Sequence, residues 1–222
     1  MKVGIVLPTF SSSVEAALAI AAEAERAGVD GVFAYDHIWP MGSPGRPAIS
    51  PFPVLAAVAT RHPKLIVAPL VARVSLAEPE RIAERFATLE ALAPGRVIAA
   101  LGTGDSLSLD EEVALGLPSL NAKARRDRLR EVIGMLPDGM EKWCGGGGEE
   151  TNNIAREFDM VLNLWDSSAA ELAAESEKGP VCWAGPKPGN MADALRSYED
   201  AGATWAVVAG TVNMEVLASL KG

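Results

Sequence analysis

Short runs rich in β-branched and aromatic residues alternate along this chain with longer stretches whose apolar residues recur every three or four positions. The runs read VGIVL, GVFAY, LIVAPLV, RVIAAL, EKWCG, MVLNL, VCWAG and TWAVVA. They begin near Val3, Gly31, Lys64, Arg96, Glu141, Asp159, Pro180 and Thr204. Strands alternating with helical stretches predict βαβ units and a parallel sheet. The fifth unit is the tightest, with 18 residues from the start of its strand to the start of the next. Helix signals fill the intervals. Ser12 with Glu15 three residues on predicts a capping box, and Gly28 a stop. Pro79 suits a first helical position, with Ile82, Phe86, Leu89 and Ala93 as the buried stripe and Pro94–Gly95 as the end. Leu129, Val132, Ile133 and Leu136 form a further stripe, and Asn190 predicts the cap of a helix carrying Met191, Leu195 and Tyr198 towards Gly202.

Eight such units predict a compact α/β protein, a (β/α)₈ TIM barrel that is one domain over residues 1–222. A doubly wound open sheet is the competing arrangement. It more often carries a G-x-G-x-x-G turn after its first strand, whereas here that strand runs into Pro8–Thr9–Phe10. Two segments echo each other, AGVDGVFAYD and AGATWAVVAG, each a helix end followed by Gly and a strand. Trp143, Trp165, Trp183 and Trp205 fall on or beside the last four strands, which fits repeated units in a closed ring.

Composition narrows the classes. The 222 residues are 49% hydrophobic, enough for a full core. The 29 acidic residues outnumber the 20 basic ones, giving a net charge of −9, and the longest basic run is Arg125–Arg126. That balance disfavours nucleic acid as a partner. No apolar run approaches the roughly 20 residues that span a bilayer, so no membrane partner is expected. MKVGIVLPTF turns polar without a small-residue cleavage site and is not read as a signal peptide. Two cysteines, Cys144 and Cys182, suggest buried thiols in a reducing, cytoplasmic setting. A small-molecule substrate and a homodimer are the expected partners.

On this scaffold, polar residues just past the strand C-termini carry function. Four clusters qualify. Tyr35–Asp36–His37–Ile38–Trp39 follows the second run and places an imidazole, able to transfer a proton near neutral pH, beside a carboxylate. The other histidine, His62, precedes the third run and falls on the opposite, stabilising face. Gly102–Thr103–Gly104–Asp105 follows the fourth run, with glycines that admit a close ligand and Asp105 as acid, base or turn-former. Gly145–Gly148, followed by Glu149 and Glu150, reads either as a phosphate cradle at a helix start or as a flexible turn. Gly185–Pro186–Lys187–Pro188–Gly189 offers Lys187 as a phosphate partner or is a plain surface loop. No metal signature and no G-x-S-x-G elbow is present.

The segments AEAERAGVDGVFAYDHIW, LAEPERIAERFATLEALAPGRVIAALGTGD, EVALGLP and RRDRLREVI resemble the luciferase-like monooxygenases and coenzyme F-420-dependent oxidoreductases. The likeness is looser over WCGGGGEETNNIAREFDMVLNLW and AGATWAVV. The resemblance implies a (β/α)₈ barrel that binds coenzyme F-420 or flavin mononucleotide (FMN) at its C-terminal face. It implies an oxidoreductase that moves hydride between coenzyme F-420 and a small organic substrate. The alternatives are an FMN-dependent monooxygenase and a non-catalytic flavin- or deazaflavin-binding barrel. By resemblance Asp36, His37 and Asp105 are the catalytic residues, with His37 as proton donor. Trp39, Thr103, Gly104, Gly145, Gly146 and Gly147 meet cofactor or substrate. A non-prolyl cis peptide of the third strand, against which the redox ring rests, falls at Pro69–Leu70. The chain is shorter than typical members, lacking the insertions after strand four and the long fifth unit. Glu149–Glu150 stands where the family more often has small residues.

Overall fold

The computed structural model describes residues 1–104 and 109–221. Its strands are β1 (Lys2–Val6), β2 (Gly31–Ala34), β3 (Ile66–Pro69), β4 (Ala72–Arg73), β5 (Ile98–Gly102), β6 (Glu141–Gly145), β7 (Val161–Trp165), β8 (Val181–Pro186) and β9 (Ala203–Ala209). All pair in parallel, in the order β3-β2-β1-β9-β8-β7-β6-β5-β4. The ends of that order meet. The Val67 N–H donates to the Arg96 carbonyl at 2.9 Å, and Val67 bridges to Val97. The result is the expected barrel, its ring made of eight strand positions. The third run, LIVAPLV, is not one strand but two, β3 and β4. A cis peptide joins Leu70 to Val71 between them. The expectation of Pro69–Leu70 is thus corrected by one residue.

The helices are α1 (Glu15–Ala27), α2 (Pro51–Arg61), α3 (Pro79–Leu92), α4 (Leu109–Ala114), α5 (Ala122–Met135), α6 (Glu149–Glu157), α7 (Ala169–Ser176), α8 (Met191–Asp200) and α9 (Met214–Ser219). Pro79 opens α3, and Asn190 caps α8 by accepting from the Asp193 N–H. Gly28 ends α1 at φ 87°, a left-handed conformation that is cheap only without a Cβ. The expected Ser12 capping box does not form. Val14 stands at the N-cap, and the Ser13 hydroxyl accepts the Glu15 N–H at 3.2 Å instead. The tight fifth unit holds, because α6 needs only nine residues between β6 and β7.

Two apolar layers result. Between strands and helices, Ile5, Leu55, Phe86, Leu89, Leu129, Val132 and Leu195 pack together. Inside the ring, Phe33 stacks on Trp143 with centroids 5.4 Å apart, and Trp205 meets the pair edge-on at 5.6 and 5.7 Å. Small residues on neighbouring strands make room for this trio. A Cβ on Gly4 would lie 2.5 Å from the Phe33 ring, and one on Gly31 would lie 3.1 Å from Trp205. The four tryptophans therefore do not occupy equivalent places. Trp143 and Trp205 plug the barrel, Trp183 faces outwards and stacks on Tyr198 of α8 at 4.6 Å, and Trp165 is 48% exposed at the C-terminal face. No helix among the described residues is long and apolar enough to cross a membrane.

Candidate active site

Above the aromatic plug, at the C-terminal ends of the strands, lies a cavity of about 550 Å³. Its floor is a consequence of two glycines. The Val71 side chain, between β3 and β4, wedges between Gly102 at the end of β5 and Gly145 at the end of β6. A Cβ on Gly102 would meet Val71 Cγ2 at 2.4 Å, and one on Gly145 at 3.0 Å. Only glycine at Gly102 leaves Val71 where it is, so an apolar side chain lines the floor there.

One wall is the turn from β6 into α6. The Gly146 N–H is taken by the Asn163 carbonyl at 2.8 Å, while Gly147 and Gly148 have open space where a side chain would be. The first amides of a helix have no partner within it, and here α6 begins at Glu149 beside the cavity-lining Gly148 and Thr151. Glu150 does not oppose an anion there with a free charge, because Arg126 pairs with it at 2.6 Å. Another part of the wall is aromatic. Phe10 stacks on Tyr35 at 5.3 Å, Trp165 meets Tyr35 edge-on at 5.9 Å, and Met41 closes the rim. Burial pushes the Tyr35 phenol up to about 12, so its hydroxyl stays protonated across the physiological range.

His37 follows β2 and faces this cavity from a fixed position. Its Nδ1 lies 2.6 Å from Glu111 Oε1. Glu111, on α4, is 1% exposed, and its Oε2 accepts from the Ile38 N–H at 2.8 Å and from Arg73 Nη2 at 2.7 Å. Arg73 is tied in turn to Asp36. Its Nε donates to the Asp36 carbonyl at 2.8 Å, and its N–H to Asp36 Oδ2 at 3.0 Å. Burial pushes the Glu111 carboxyl up, but the hydrogen bonds from His37 and Ile38 and the Arg73 charge outweigh it and hold the group below its ordinary value. For Asp36 burial wins over the Arg73 contacts, and its carboxyl is raised.

The structure thus gathers His37, Leu70, Thr103, Gly104, Gly145, Gly146 and Gly147 around one cavity. Asp36 sits behind it as the anchor of Arg73, and neither Trp39 nor Pro69 is part of the lining. Asp105 lies outside the described residues. Lys187 is exposed and away from the cavity, and His62 holds Glu25 at 3.0 Å near the other end of the barrel. Sequence reasoning passed over Phe10, Val71, Arg73, Glu111, Asn163 and Trp165. Asn163 and Arg73 carried a usable signal, a lone polar residue near the end of an apolar strand run. Glu111, one of three consecutive acids in Asp110–Glu111–Glu112, carried none.

A parallel ring that opens into a glycine-floored cavity at its C-terminal face is a TIM-barrel site. The family model described as luciferase-like monooxygenase matches residues 1–204, and the chain belongs to that family. It is similar to an F420-dependent glucose-6-phosphate dehydrogenase of Beutenbergia cavernae, at 38% identity over 58% of this chain and 37% of the relative. It is also similar to an F420-dependent hydroxymycolic acid dehydrogenase of Mycobacterium tuberculosis, at 30% identity over 75% of this chain and 44% of the relative. The chain therefore spans less than half the length of these two relatives. Among solved structures, an F420-dependent secondary alcohol dehydrogenase in complex with an F420-acetone adduct superposes with a TM-score of 0.81. That match covers 99% of this chain and 98% of the other at 14% identity, which speaks for the fold.

Proposed function

We propose that this chain is an oxidoreductase that moves hydride between coenzyme F-420 and a small organic substrate, working in the cytoplasm. The observation that carries the reading is His37, fixed by Glu111 at the edge of a cavity that Leu70 and Val71 also line, together with the glycine turn into α6. The residues present fit a flat tricyclic group with a phosphate tail. Leu70, Val71 and Gly102 would bear the ring, Thr103 and Gly104 its edge, and Gly147, Gly148 and the start of α6 the phosphate. The bound coenzyme supplies the hydride acceptor or donor, while the protein supplies position and proton handling. His37 holds or takes the proton at the substrate oxygen, within reach because its ring lines the cavity. Phe10, Tyr35, Met41 and Trp165 cover the reacting face with apolar surface and keep water from it. The names of the relatives, F420-dependent dehydrogenases, support the coenzyme.

The test is a titration of the purified protein with oxidised and reduced coenzyme F-420 and, separately, with FMN. Deazaflavin fluorescence and protection from thermal unfolding report binding. Saturable binding of coenzyme F-420 is expected, with turnover falling by roughly 10²–10⁴ in His37→Ala. No binding of coenzyme F-420 in the high micromolar range refutes the reading, and tight FMN binding alone makes the protein a flavin enzyme.

A further inference from the structure

We propose that Glu111 is the positioning residue for His37: it fixes the neutral imidazole as the Nδ1–H tautomer and so presents Nε2 to the cavity as a proton acceptor. Which atoms can donate decides the tautomer. An ionised carboxylate only accepts hydrogen bonds. With Glu111 Oε1 at 2.6 Å, His37 Nδ1 must therefore carry the proton. The neutral ring has one proton, so Nε2 is left with a lone pair. Nε2 has no hydrogen-bond partner among the described residues, and the ring lines the cavity. Free imidazole side chains in water favour the opposite tautomer, so the protein is overriding an intrinsic preference.

The arrangement is also directional. Both oxygens of Glu111 are engaged, but by different donors. Oε2 takes two, the Ile38 N–H and Arg73 Nη2, and Oε1 takes His37 alone. Arg73 cannot turn away, because Asp36 holds both its Nε and its backbone N–H. Asp36, Arg73, Glu111 and His37 thus form a closed loop of hydrogen bonds that begins and ends on adjacent residues of one strand terminus. A buried counter-ion for Arg73 would need only one oxygen. The second oxygen is what sets the histidine.

The consequence for chemistry rests on the hydride reading above. In the oxidative direction bound oxidised coenzyme F-420 would supply the hydride acceptor, taking the hydrogen of a substrate C–H bond with its electron pair. The substrate O–H bond breaks, its proton goes to His37 Nε2, and a carbonyl forms. The Nδ1–H tautomer is the form that can accept that proton. After the transfer, the doubly protonated ring faces the Glu111 charge.

The chain has two histidines, and each meets a carboxylate through Nδ1: His37 with Glu111 at 2.6 Å and His62 with Glu25 at 3.0 Å. Long-range ¹H–¹⁵N spectra of the protein without coenzyme, in mildly alkaline buffer, resolve both rings and read each tautomer from its two nitrogen shifts. Wild type is expected to show His37 protonated on Nδ1. In Glu111→Gln the two donors at the Oε2 position hold the amide oxygen there. The amide NH₂ then points at His37 Nδ1, which must accept. The prediction is an exchange of the two His37 nitrogen shifts, with those of His62 unmoved. Should Glu111→Gln not fold, Glu111→Asp keeps the charge but withdraws it by one methylene, and a mixed His37 tautomer is expected. An Nε2–H ring in wild type, or His37 shifts unchanged in the folded variants, overturns the proposal. Coenzyme titration of the same samples is a separate readout. Failure to bind coenzyme with the tautomer as expected sinks the hydride reading and leaves the role of Glu111 standing.

Discussion

Arg73 pairs with the buried Glu111, and its loss has a magnitude and a pH signature that follow from that burial. Arg73→Met keeps much of the aliphatic volume and removes the guanidinium. It deletes the 2.7 Å bond to Glu111 and the 2.8 Å bond to the Asp36 carbonyl, and Glu111 is only 1% exposed. Removing one partner of a buried pair typically costs about 3–5 kcal/mol, because the charge left behind has neither water nor counter-ion. His37 and the Ile38 N–H remain on Glu111, which places the expectation near 3 kcal/mol, the lower end of that range. In wild type the folded Glu111 carboxyl lies below its ordinary value, so it contributes stability that is present above the unfolded pKa and lost as pH falls through the folded one. Without Arg73 that depression is weakened or reversed. The gap between wild type and variant is therefore widest near neutrality and narrows as pH falls below about 4.3, the ordinary glutamate value. Urea unfolding at neutral and at acidic pH measures both quantities. Arg73→Met/Glu111→Leu, which removes both charges, should recover most of the loss. A neutral-pH loss under about 1 kcal/mol, or one that is equal at both pH values, refutes the claim that this pair is buried and mutually dependent.

Four further outcomes are expected. Gly102→Ala puts a Cβ 2.4 Å from Val71 Cγ2, and should cost about 1–3 kcal/mol in thermal unfolding and weaken coenzyme binding; Val71→Ala in the same chain should restore stability. Trp205→Ala should cost about 3–5 kcal/mol because it empties the barrel plug. Trp165→Ala, at an exposed site, should leave the melting temperature within a few degrees while lowering coenzyme affinity. Burial pushes the Cys144 thiol up to about 12 and raises Cys182 as well, so neither should react with Ellman's reagent in native protein at mildly alkaline pH, and both should react after unfolding. Rapid native labelling of either refutes the buried assignment.

The ring was legible because alternation of strand and helix is a local signal, repeated eight times. Pro79, Gly28 and Asn190 mark helix boundaries by chemistry confined to one or two residues, and each stands where it was expected. Ser12 shows the limit of such signals. The capping pattern is present, but the chain enters α1 two residues later than that pattern requires. The glycines and His37 were legible for the same local reason, lying just past strand ends. Glu111 was not. Its value comes from contacts with His37 and Arg73, 74 and 38 residues away, and nothing in Asp110–Glu111–Glu112 distinguishes the middle acid. Likewise Val71 matters only through the space left by Gly102 and Gly145, which belong to different strands. The two reciprocal roles, wedge and gap, are written far apart.

The division of the third strand position has a mechanical consequence. β3 pairs along its length with β2, β4 pairs with β5, and across the join the ring is closed by the Val67 link to Arg96 and Val97. That join is a seam. Elsewhere each strand is laced to its neighbour by a ladder, so opening of the cylinder should begin there. Leu70 and Val71 lie at the top of the seam, and Gly102 and Gly145 lie on its far side. A flat molecule resting on this floor would bridge both lips. Its occupancy would then act as a staple, slowing hydrogen exchange of the β3 and β5 amides more than those of β7 or β8.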